Sequence, residues 1–119
     1  MSLKKDNFVD LAEKVFEKIP DRYMISTNQI RNILSQASLI YENAKRRKGE
    51  LTEDELTNIQ ILRMNLVYAS GRDKKVEDFI RKAKLLDYIK NINKDREELI
   101  LYCRYLEALV AFHKYKGGK

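Results

Sequence analysis

The chain has 119 residues, 44% hydrophobic and 35% charged, with four glycines, one proline and no tryptophan. That apolar fraction is enough to bury a core, and so few turn-forming residues favour a small number of long elements, helices above all. Twenty-four Lys and Arg against 18 Asp and Glu leave a net charge of +6, an excess that suits an anionic partner: nucleic acid first, an acidic membrane second.

Cys103 is the only cysteine, so no internal disulfide can form, and a single histidine, His113, leaves no cluster with zinc-ligand spacing. No apolar run approaches the roughly 18 residues of a membrane span. Met1 to Val9 carries Lys4, Lys5 and Asp6 and no apolar stretch, so no secretory leader is expected there and the expected compartment is the cytoplasm.

Leu3, Phe8, Leu11, Ala12, Val15, Phe16 and Ile19 recur at helical spacing until Pro20 stops them. Ser26 with Gln29 makes a capping box for a second helix, whose face is Ile30, Ile33, Leu34, Ala37, Ile40, Tyr41 and Ala44. Its tail, Lys45, Arg46, Arg47 and Lys48, suits the negative end of the helix dipole and precedes Gly49. Thr52 with Glu55 opens a third helix, expected over about 53–70 with Gly71 as its stop. Apolar residues spread around most of its circumference, as in a central or interface helix.

Asp73 is expected to cap a fourth helix along Val76, Phe79, Ile80, Ala83 and Leu86, running on towards Ile89 and Ile92. Asp95 with Glu98 is expected to start a fifth through Leu99, Tyr102, Cys103, Leu106, Leu109, Val110 and His113, with Gly117 and Gly118 after it. The expected architecture is all-α, a single compact bundle of about five helices forming one domain over 1–119.

The positive charge is uneven. Residues 26–50 hold five Lys and Arg against two acids, residues 51–73 two against four, and residues 74–94 seven against three. At 100° per residue, Lys74 and Arg81 share one line on the fourth helix and Lys75 and Lys82 another, opposite the apolar stripe. The candidate RNA-binding residues are therefore Arg31, Arg46, Arg47, Arg63, Arg72, Lys74, Lys75, Arg81, Lys82 and Lys84. Arg63 sits among Ile59, Leu66 and Val67, where an arginine needs a carboxylate, carbonyl or phosphate partner. Leu85, Tyr88 and Ile89 fall off the main stripe and need a second apolar contact, with another helix or with another subunit; they are the candidate subunit interface.

Catalytic signals are weak. Cys103 and His113 both lie on the apolar stripe of the last helix, where packing explains them. The seven tyrosines are dispersed rather than grouped as a base-stacking platform, and there is no Gly-rich phosphate loop.

Four segments are recognisable: TNQIRNIL over 27–34, LRMNLVYASGRD over 62–73, VEDFIRKA over 76–83 and CRYLEALVAFHKYKGGK over 103–119. In this order they resemble the helical small subunit of the type III-A CRISPR effector, the Csm complex. The resemblance runs from about Tyr23 to the C-terminus, which leaves residues 1–22 as a variable N-terminal helix. The third-helix block departs from the family pattern RFVYEAGRE, with Asn65 and Leu66 where Arg and Phe stand.

The resemblance implies a non-catalytic building block that stacks with further copies of itself as a minor filament, alongside other Csm subunits, CRISPR RNA and target RNA. No enzyme activity, metal, cofactor or small-molecule substrate is implied. Sequence would be read by the guide, leaving this chain to hold phosphate. The competing expectation is a helical adaptor that binds protein only. A hydrolase would need paired carboxylates or an assisted nucleophile, and a helix-turn-helix DNA reader a short turn-linked pair; neither pattern stands out.

Overall fold

The computed structural model describes residues 2–117, and Gly118, one of the two expected terminating glycines, lies outside them. The helices are α1 (Phe8–Glu17), α2 (Thr27–Lys45), α3 (Glu53–Arg72), α4 (Lys74–Lys82), α5 (Leu85–Lys90) and α6 (Arg96–Tyr115), with one 3-10 turn at Asp21–Tyr23. No strand occurs among the described residues, and no described helix is long and apolar enough to cross a membrane.

The local start signals work as the sequence predicts. Ser26 Oγ accepts from the Gln29 amide while Gln29 Oε1 accepts from the Ser26 amide, and Thr52 and Glu55 repeat the exchange at α3. Each box satisfies two amides that a helix start leaves without partners. Asp73 and Asp95 cap the helices expected of them, while the end of α3 and the role of Glu98 depart from expectation. Gly71 does not stop α3; the helix runs through it to Arg72, and Asp73 breaks the chain in an extended conformation. Its carboxylate accepts from the Lys75 and Val76 amides and starts α4, and these amide bonds hold its pKa below the ordinary range. Asp95 caps α6 through the Glu97 amide, and Glu98 reaches back to the Asn93 amide instead of completing a box.

The segment expected as one fourth helix is two. Lys84 adopts a left-handed conformation, φ 57°, which separates α4 from α5 and leaves Ala83 O at the end of α4 beyond the helical ladder. Tyr105 Oη donates to Ala83 O at 2.7 Å and Tyr102 Oη donates to Leu85 O at 2.9 Å. Buried carbonyls without partners are costly, so these two α6 hydroxyls make the break tolerable. Burial pushes both phenols well above their usual pKa, which keeps them protonated as donors.

The core lies where α6 packs between α1 and α2, with α3, α4 and α5 closing the other side. Ala12, Phe79, Ala83, Leu85 and Leu99 are fully enclosed. Phe16 meets Phe79 and the edge of His113 with ring centroids about 6 Å apart. α3 is not central: Ile59, Leu62 and Leu66 face the core while Ile61, Met64, Val67 and Tyr68 face solvent. α2 and α3 run antiparallel, since Gln29 Nε2 donates to Asp73 Oδ2 at one end and Arg96 joins Ala44 O to Glu55 at the other.

Candidate nucleic-acid interface

The buried arginine of this chain is Arg96, at the first turn of α6, not Arg63. Arg96 Nη1 donates to Glu55 Oε2 at 2.6 Å and to Ala44 O, Nη2 donates to Glu55 Oε1 and Glu50 O, and Nε donates to Gly49 O. The guanidinium fork is thus spent on one carboxylate and three carbonyls, which the planar geometry of arginine permits and a lysine could not reproduce. Hydrogen bonding from Arg96 holds the Glu55 carboxyl below its ordinary pKa, against an opposing effect of burial. Gly49, at φ 84°, supplies the left-handed turn that presents its carbonyl to Arg96, and Leu51 N donates to Lys94 O at 2.9 Å.

This latch fixes the basic tail of α2. Arg46, Arg47 and Lys48 are exposed, and Lys45, Arg47, Lys48 and Lys94 line an open trough of about 960 Å3 between the α2 tail and the α6 start, together with the acids Glu50, Asp95, Glu97 and Glu98. Lys94 was not identifiable from sequence, because only the Arg96 latch and the Leu51–Lys94 bond bring it to the α2 tail.

A second basic group sits at the opposite end. Arg72, Lys74 and Lys75 are exposed where α3 turns into α4, tied to the α2 start by the Gln29–Asp73 bond. Lys116, also missed from sequence, joins Lys75 around a hollow that His113 lines. The Arg72 guanidinium lies over the Tyr68 ring, 5.6 Å from its centroid, which orients it while leaving it exposed. With 19 residues at 1.5 Å each, α2 separates the two groups by about 28 Å.

The other sequence candidates are placed differently. Arg31 is exposed on α2. Arg63 is half-buried, and the carboxylate partner that its setting allows is not found among the described residues. Arg81 is paired with Asp78 at 2.7 Å, and Lys82 with the same carboxylate at 3.1 Å while it also donates to Lys18 O at 2.9 Å. A single acid placed three and four residues back therefore offsets two cations of the expected α4 face, and Lys82 is held against α1. Lys84 is exposed at the α4–α5 break, off any helical line.

The expected interface residues are corrected outright. Leu85, Tyr88 and Ile89 are 0%, 7% and 2% exposed, because the turn at Lys84 folds α5 back and supplies their second apolar contact from within the chain. Tyr88 packs edge-on against Tyr105 at 5.4 Å.

The two residues with catalytic potential are committed to packing. Burial pushes the Cys103 thiol up to about 12, and its sulfur faces Ala37 O at 4.0 Å. His113 Nε2 lies 2.7 Å from Ile25 O; a carbonyl only accepts, so this nitrogen carries the proton. No group of three or more His, Cys, Asp or Glu side chains among the described residues is placed to hold a metal ion.

The family model described as Csm2 Type III-A matches residues 2–119. The chain belongs to the Csm2 family of type III-A CRISPR systems. It is 43% identical over 122 residues to "CRISPR system Cms protein Csm2" of Streptococcus thermophilus, covering 98% of this chain and 97% of that one. A protein of the same description from Mycobacterium tuberculosis (strain CDC 1551 / Oshkosh) is 35% identical, covering 100% and 98%. One from Enterococcus italicus is 32% identical over 96 residues, covering 76% and 67%. Members of this family are subunits of the Csm effector complex, and the all-α chain described above is one of them.

Proposed function

We propose that this chain is a non-catalytic small subunit that stacks as a minor filament in the Csm complex and holds the phosphate backbone of target and guide RNA without reading sequence. The observation that carries this reading is the pair of exposed basic groups, Arg46–Arg47–Lys48 and Arg72–Lys74–Lys75, fixed about 28 Å apart by one helix. Cations presented without neighbouring base-reading groups favour phosphate over base edges. The burial of Cys103 and the carbonyl bond of His113 support a non-catalytic role, since neither is available as nucleophile or base. The reading places the chain in a cytoplasmic ribonucleoprotein.

The test replaces each group separately in the assembled complex. Arg46, Arg47 and Lys48 changed to Glu, or Lys74 and Lys75 changed to Glu, should weaken target-RNA binding equally for unrelated sequences. Each lost phosphate contact should flatten the logarithmic salt dependence by about 0.7. Arg81 and Lys82 are poor choices because Asp78 and Lys18 hold them. Unchanged affinity and salt slope in both variants would leave the protein-only adaptor as the better account.

A further inference from the structure

Between α2 and α3 lies an open groove of about 280 Å3 with no charged residue in its lining, in a chain that is 35% charged. Four carboxamides line it: Gln36 and Asn43 from α2, Asn58 and Asn65 from α3. The antiparallel register that ties Gln29 to Asp73 brings Gln36 opposite Asn65 and Asn43 opposite Asn58. Seven residues along each helix set the two pairs about 10 Å apart. Leu39, 74% exposed, and Ile61, 44% exposed, stand between them. None of the four amides makes a side-chain hydrogen bond among the described residues. Gln36 Oε1 is enclosed as well as unpartnered. An enclosed acceptor without a donor is costly, so packing within the chain gives no reason for a carboxamide there, whereas a donor from outside does.

The lining identifies the occupant. A carboxamide presents a donor and an acceptor side by side, and opposed pairs of them match a flat, uncharged group with donors and acceptors along its edges and apolar faces. A bare phosphate or an ammonium finds no opposite charge in this groove and would lose hydration on entering it. A nucleobase has the matching chemistry. The groove also lies between the two basic ends of α2, so a strand whose phosphates rest at those ends passes over it; an extended peptide offers similar donors and acceptors but has no reason to bridge two cationic groups. We propose that the groove takes one unpaired nucleobase of the bound RNA, held at its edges by Gln36, Asn58 and Asn65 and flanked by Leu39 and Ile61. This rests on the reading of the chain as an RNA-holding subunit and adds a base contact to its phosphate contacts. A carboxamide turned end for end offers the reverse pattern, so the groove accepts bases of different identity.

Nucleosides test the groove on the isolated chain, because they carry the base without phosphate. Adenosine and uridine should each shift the side-chain amide NMR signals of Gln36, Asn58 and Asn65 and leave in place those of Asn28 and Asn93, which are exposed outside the groove; ribose should shift none. In the assembled complex, Asn58→Ala together with Asn65→Ala should weaken target-RNA binding about tenfold. The helical circular dichroism and the salt slope should stay as in the parent, because no phosphate contact is lost. The variants of the basic groups flatten that slope, so failure of the phosphate reading and failure of the base groove give different results. Amide signals unmoved by either nucleoside, or a salt slope flattened by the asparagine variant, would overturn the proposal. So would amide signals that move with protein concentration instead of nucleoside, which would give the groove to a second copy, or an asparagine variant whose only defect is failed assembly with the other Csm subunits.

Discussion

Replacing Arg96 by alanine tests how the basic tail of α2 is held. The change leaves the Glu55 carboxylate buried without its cation and removes the donors to Ala44 O, Gly49 O and Glu50 O. Breaking one side of a buried, hydrogen-bonded ion pair costs about 3–5 kcal/mol, a large share of the roughly 5–15 kcal/mol that a domain has. At about 4 °C per kcal/mol for a chain of this length, the melting temperature should fall by roughly 12–20 °C. Urea unfolding followed by circular dichroism measures the free energy directly. Pairing the change with Glu55→Gln should recover part of the loss, since the uncompensated charge is then gone. Arg96→Lys should fall between, because an ammonium restores the charge but cannot reach all the carbonyls. A loss below about 1 kcal/mol for the alanine variant, or no recovery in the double variant, would refute the latch as the element that orders residues 46–51.

The same carboxylate gives a pH prediction. Glu55 is held below its ordinary value of 4.5 in the folded chain, so its contribution is complete above that value and is lost as pH falls through the folded pKa. Stability measured from pH 6 downwards should drop less steeply in Glu55→Gln than in the parent. Tyr105→Phe should cost about 1–3 kcal/mol in urea unfolding by leaving Ala83 O unpaired, whereas Tyr115→Phe, at an exposed position, should cost nothing measurable. Native Cys103, with its thiol pushed up to about 12 by burial, should resist alkylation at pH 8 and react at the ordinary rate only after unfolding.

Those features of the fold that depend on neighbours three or four residues apart were legible in the sequence. Ser26–Gln29 and Thr52–Glu55 are readable because a capping box is a local exchange of hydrogen bonds, and the core faces of α1, α2 and α6 follow from apolar spacing alone. Tertiary compensation was not legible. Nothing around Lys84 announces a left-handed residue; the break exists because Tyr102 and Tyr105, about twenty positions later, accommodate the carbonyls of Leu85 and Ala83. Without the break, Leu85, Tyr88 and Ile89 read as unpartnered and suggest an interface, while the exposed apolar stripe on α3 reads only as a helix apolar around most of its circumference. The buried arginine followed the same pattern. Arg63 has apolar neighbours one turn away, but the core is reached by Arg96, whose own neighbours are Asp95, Glu97 and Glu98. Of the candidate binding residues, those at the ends of α2 and α3 stand exposed, as do Lys74 and Lys75 at the start of α4, while Arg81 and Lys82 near its end are drawn into ion pairs by Asp78.

The 19 residues of α2 act as a fixed gauge. Its start is tied to Asp73 and its end to Arg96, so neither basic group can slide relative to the other without breaking a hydrogen bond at one end. A single residue inserted in α2 would turn Arg46 and Arg47 by about 100° and carry Ala44 O away from the guanidinium. Length changes are therefore admissible only as matched turns in α2, α3 and α6 together, which makes the spacing of the two basic groups among the least adjustable dimensions of the molecule.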